Sequence, residues 1–125
     1  MKNPIATKNA PAAIGPYSQG VDAGSIVFVS GQLPVDPSTG AFAEGGIAEQ
    51  TRQSLTNIQA ILAEAGLTMD NVVKTTVFLK DMNDFAAMNQ VYATFFTTNP
   101  PARSAIEVAR LPKDARLEIE AIAVR

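Results

Sequence analysis

The chain has 125 residues, ten Lys+Arg against twelve Asp+Glu for a formal net charge of -2, and 46% hydrophobic residues, the proportions of one compact globular unit rather than a disordered or fibrous chain. Cys and His are both absent, which excludes disulfides, thiolate and imidazole metal sites, Fe–S clusters and Ser–His or Cys–His nucleophile systems. An acidic chain with no basic run lacks the electrostatic footprint of a nucleic-acid binder, and no apolar stretch approaches the roughly 20 residues of a membrane span.

In chain order, Pro4, Pro11, Pro16, Pro34 and Pro37 rule out any long helix in the N-terminal third. Segment 1–13 has no apolar run of signal-peptide length, so a cytoplasmic protein is expected. Strands are expected at 18–23 and 25–31, joined as a hairpin by the Asp22-Ala23-Gly24 turn. Ile26, Val27, Phe28 and Val29 are apolar at both parities, which predicts a strand covered on both faces. Residues 34–46 read as a loop. The spacing of Ile47, Thr51, Leu55, Ile58, Ile61, Leu62 and Ala65 predicts a helix over 47–65, stopped by Gly66. A strand follows at 71–80. Asn83 or Asp84 is positioned to cap a second helix running to about Phe96, with an apolar arc of Phe85, Met88, Val91, Tyr92, Phe95 and Phe96. Pro100-Pro101 forces extended backbone, and strands at 102–109 and 116–124 finish the chain.

The order ββ-α-β-α-ββ, without repeat or linker, predicts an α+β fold over residues 1–125: two layers, one sheet with two helices on one face. The uncovered face would carry Arg103 and Glu118 together with Ile122 and Val124. Burying so mixed a face against another subunit is the economical solution, so an oligomer is expected.

The candidate chemistry has to come from Arg, Lys, acidic, hydroxyl and backbone groups. Arg103 follows the rigid Pro100-Pro101 entry, and a guanidinium held there suits bidentate capture of a carboxylate; an ion pair with Glu107 is the plainer alternative. Glu118 could act as a general base or hold a water, or simply pair with Arg103 or Arg116. Glu120 shares its parity, and the sequence does not choose between the two acids. Tyr17 can line a pocket or cap the core edge. Gly31, after Ser30, allows close backbone approach to a ligand or merely makes a turn. Asn89 borders the apolar arc and needs a polar partner, most simply local backbone. No phosphate-binding Gly-rich loop and no acidic cluster with metal-ligand spacing is present, so neither cofactor nor metal is expected.

The blocks Ala10-Pro11-Ala12-Ala13-Ile14-Gly15-Pro16-Tyr17-Ser18-Gln19-Gly20, Val29-Ser30-Gly31-Gln32, Val73-Lys74-Thr75-Thr76-Val77, Pro101-Ala102-Arg103-Ser104, Val108-Ala109-Arg110-Leu111-Pro112-Lys113-Asp114 and Leu117-Glu118-Ile119-Glu120 resemble, nearly end to end, the RidA (YjgF) family of reactive-intermediate imine deaminases. The resemblance implies a chorismate-mutase-like fold with a mostly antiparallel mixed sheet. It also implies a homotrimer in which three sheets close an inner barrel, with active sites between subunits. The implied reaction is hydrolysis of 2-iminobutanoate or 2-iminopropanoate to the 2-oxo acid and ammonia, without nucleic-acid or membrane partners. By position, Arg103 would grip the substrate carboxylate and Glu118 would orient or activate the water. Tyr17, Ser30, Gly31 and Asn89 would line the pocket, with the backbone of Ala105 facing the ligand where many relatives have Cys. A non-catalytic binder of 2-oxo acids and a holdase-like interaction protein are the alternatives to catalysis.

Overall fold

The computed structural model describes residues 2–125. Six strands, β1 (Asn3–Ile5), β2 (Gly20–Asp22), β3 (Ile26–Gln32), β4 (Val72–Leu79), β5 (Ala102–Glu107) and β6 (Leu117–Val124), and two helices, α1 (Ile47–Glu64) and α2 (Phe85–Phe95), follow the expected order. The short β1 at the far N-terminus is an addition. The strands form one sheet in the order β1-β2-β3-β6-β4-β5. Every pairing is antiparallel except β4 with β5. Parallel neighbours need a long crossover, which α2 supplies. β6 lies between β3 and β4, which α1 connects, so the last strand completes the sheet.

Both helices lie on one face. Leu55, Ile58, Ile61 and Leu62 of α1 are fully buried, as are Val27, Val77, Leu79, Leu117 and Ile119 of the sheet. Each such side chain contributes about 1.5–3 kcal/mol. Gly66, at φ +78°, ends α1 where expected. The start of α2 meets expectation only in part. Asp84 stands at the N-cap position of α2, as one of the two expected candidates, but its side chain makes no capping bond; Asp81 caps a short 3-10 turn, Met82–Asp84, just before the helix, accepting from Asn83 N at 2.9 Å. The Asp84 carboxylate is drawn instead to Arg116 Nη2, at 3.1 and 3.2 Å.

The other sheet face is uncovered within the chain. Phe28 pairs with Ile122 and Ile26 with Val124; Phe28 remains 45% and Ile26 39% exposed while Val27 and Val29 are buried. Apolar residues at both parities thus do not mean cover on both faces by this chain. The composition of the open face also departs from expectation. Arg103 pairs with Thr75 of β4, and Glu118 pairs with Phe78. Positions 75 and 78 have opposite parity, so the two side chains leave opposite faces of the sheet. Arg103 lies on the helix face and Glu118 on the open one.

Candidate active site

The candidate residues divide into two groups. The first sits where edge strand β5 meets α2. Arg103 Nη1 donates to Asn89 Oδ1 at 2.7 Å, so the amide's partner is a cation rather than local backbone. The guanidinium carbon lies 4.7 Å from the Tyr92 ring centroid and 5.4 Å from that of Phe85. Ala105, two residues along, shares the parity of Arg103 and packs against the core. The alternative ion pair with Glu107 does not form: that carboxylate accepts from Met82 N at 2.8 Å. Among the described residues, the ion pairs are Lys80–Asp114, Arg116–Asp84 and Arg125–Asp22, which leaves Arg103 without an anion. Phe85, Asn89 and Tyr92 stand at i, i+4 and i+7, one stripe of α2. The spacing is legible in the sequence, but the same apolar periodicity marks core residues, so it does not by itself show that two of the aromatics face a cation.

The second group lines a cleft of 810 Å³ on the opposite side, whose walls include Tyr17, Ser30, Gly31, Glu118 and Glu120. Glu118 lies so close to Gly31 that a Cβ on that residue would fall inside its carboxylate; the glycine is there for close approach, not for a turn. Burial pushes the Glu118 proton affinity above the usual carboxylate range, and the negative charge of Glu120 adds to the shift. Glu118 pairs with neither Arg103 nor Arg116. Ser30 Oγ donates to Ser18 O at 2.6 Å, tying the β3 end to the loop that carries Tyr17. That loop is anchored by the buried Gln19, whose Nε2 donates to Thr7, Ala10 and Pro11 carbonyls and whose Oε1 accepts from Thr7 N at 2.7 Å. Lys113, at φ +57°, also lines the cleft; neither it nor Gln19 was singled out from the sequence. No group of three or more acidic side chains among the described residues converges as a metal-ligand set.

A single chain therefore presents an unpaired guanidinium on one face and a carboxylate of raised proton affinity on the other. The family model described as Endoribonuclease L-PSP matches residues 7–125. The chain belongs to this family, also called YjgF/RidA. A Salmonella typhimurium relative called 2-iminobutanoate/2-iminopropanoate deaminase is 62% identical, over 100% of this chain and 99% of its own. The protein of the same description from Escherichia coli is 59% identical over the same shares. Among solved structures, E. coli TdcF with bound serine superposes with a TM-score of 0.95 at 54% identity, covering 98% of both chains.

Proposed function

We propose that this chain is a hydrolytic deaminase that converts 2-iminobutanoate and 2-iminopropanoate, or their enamine tautomers, to the 2-oxo acid and ammonia. The supporting observation is that Arg103, alone among the site's charged groups, is stacked and oriented yet has no anion of its own. It suits the carboxylate common to these substrates, and the name of the Salmonella relative gives the chemistry. Arg103 holds that carboxylate through in-plane N–H groups, and the pocket residues Tyr17, Ser30, Gly31, Asn89 and the Ala105 backbone surround the rest. Glu118 takes a proton from the attacking water as its oxygen bonds to the carbon of the protonated imine and the C=N π pair moves to nitrogen. Glu118 then returns that proton to the amino nitrogen of the carbinolamine; the C–N bond breaks with its electron pair, ammonia leaves, and the hydroxyl proton passes back to the Glu118 carboxylate as the carbonyl forms, from which solvent removes it. A carboxylate of raised proton affinity serves these transfers.

Since Arg103 and Glu118 leave opposite faces of their own sheet, the reading requires a second copy to bring one group to the other. A homotrimer of 13.2 kDa chains would do so while covering the open face with Ile26, Phe28, Ile106 and Val124. Residues 1–125 act as one RidA-like domain in this scheme. No helix among the described residues is long and apolar enough to cross a membrane, and the cytoplasm is the compartment we assign.

The test couples a threonine dehydratase, which releases 2-iminobutanoate, to semicarbazide trapping. The protein is expected to suppress semicarbazone formation; no suppression overturns the reading. The serine bound to TdcF favours a second reading, a non-catalytic binder of small carboxylates. In that case 2-oxobutanoate binds saturably and trapping is unchanged. Phosphodiester cleavage, the activity in the family model's description, fits less well: a cleft that sets two carboxylates, Glu118 and Glu120, against one lysine, Lys113, keeps a net negative charge that disfavours phosphates. Mixing Arg103→Ala with Glu118→Ala subunits tests the shared site. Sites between copies recover about a quarter of wild-type activity in random mixtures, whereas sites within one copy recover none.

A further inference from the structure

We infer that Tyr92, together with Phe85, is a positioning residue that holds the Arg103 guanidinium ready for the substrate carboxylate. This inference rests on the carboxylate-grip reading and goes beyond it by naming what prepares the grip. β5 is an edge strand, and an arginine leaving an edge has several rotatable bonds to immobilise when it binds an anion. Its one side-chain hydrogen bond here is to Asn89, which limits it at one nitrogen and leaves the plane free to swing. The rings limit the plane. Both centroids lie within the roughly 6 Å range over which a ring face attracts a cation, Tyr92 at 4.7 Å and Phe85 at 5.4 Å.

Tyr92 is itself held on two sides. Its hydroxyl shares a 2.6 Å hydrogen bond with Thr75 Oγ1, and its ring packs at 4.7 Å on Phe96. Thr75 is the β4 residue paired with Arg103. The contacts thus close a circuit from β4 through Tyr92 to Arg103 on β5, and the strand ladder returns it to β4. With the two rings set against the guanidinium carbon and one nitrogen bonded to Asn89, the remaining N–H groups are left to a carboxylate. The position of Asn89 on the same helical stripe sets the rotation within the plane.

The experiment is a double-mutant cycle on kcat/KM for 2-iminobutanoate, measured under single-turnover conditions, alongside binding of 2-oxobutanoate. Tyr92→Leu is expected to lower kcat/KM about tenfold, chiefly through KM, and to weaken 2-oxobutanoate binding in parallel. Tyr92→Phe keeps the ring and is expected to recover most of that loss. In an Arg103→Ala background, Tyr92→Leu should cost less than about twofold, because there is no guanidinium left to position. An equal cost in both backgrounds overturns the inference and makes Tyr92 a core residue only. Phe85→Leu, at a half-buried position, repeats the cycle with an expected loss of about threefold should Tyr92→Leu fail to fold; no loss there overturns the inference as well. If Arg103→Ala itself leaves kcat/KM unchanged, the carboxylate-grip reading is what fails.

Discussion

The β5–α2 edge and the β3–β6 cleft handle charge in opposite ways. At the edge, Arg103 is stabilised without an anion: aromatic faces and one amide oxygen satisfy it, so its charge is kept available. In the cleft, Glu118 is half-buried beside Gly31, near a second acid and without an ion-pair partner among the described residues, so its charge is disfavoured and its proton affinity rises. A stabilised cation suits binding, and a destabilised carboxylate suits proton transfer. The sheet that carries both keeps them on opposite faces.

The largest expected effect breaks the edge. Arg103→Ala should reduce kcat/KM in the semicarbazide assay about a thousandfold, the upper range for losing a charge-assisted carboxylate contact, and should abolish 2-oxobutanoate binding. Full activity in that variant refutes the grip. Breaking the cleft should look different. Glu118→Gln is expected to lower kcat about a hundredfold while retaining 2-oxobutanoate binding. The acid limb of the wild-type pH profile should lie above the ordinary carboxylate range, and the variant should lack it. Gly31→Ala drives a methyl into the Glu118 carboxylate and should cost roughly ten- to a hundredfold by misplacing it, with no change in the Arg103 environment; an unchanged rate would show that the carboxylate has room to move.

The same comparison predicts a stability effect of defined sign. Glu118 binds its proton more tightly when folded than when unfolded, so folded stability falls as pH rises from below 4.5, the ordinary value, through the raised folded value. Glu118→Gln should therefore melt higher than wild type at pH 7, and the difference should close as pH falls through the carboxylate range. A variant less stable at pH 7 would mean that the carboxylate makes favourable contacts. The smallest effect lies outside both halves. Asp84→Asn weakens a partly exposed ion pair with Arg116 and should cost at most about 1 kcal/mol, with kcat/KM unaltered.

Much of this could be read along the chain. The stripe from Ile47 to Leu62, the stop at Gly66 and the β-branched run at 72–79 set the elements and their order, because these patterns are local. The residue types of the site were legible too, since Arg103 and Glu118 stand within long motifs. Less legible were contacts set by how the elements meet. Asn89 could be seen to need a partner, but only packing of α2 on β5 makes that partner Arg103. Asp84 takes the N-cap position its type suits, but only the fold brings Arg116 to draw its carboxylate away from the helix end. The methyl-sized gap at Gly31 becomes a reason for glycine only once Glu118 fills it.

The amino-acid order by itself determined two helices and the main strands, the absence of thiol and imidazole chemistry, and the charged side chains that remain to act. Only the tertiary structure decided that Arg103 and Glu118 point to opposite sides of one sheet. Parity along a strand is local, but which parity faces the helices depends on register across β4. There Thr75 against Arg103 and Phe78 against Glu118 put the cation under α2 and the carboxylate on the open face.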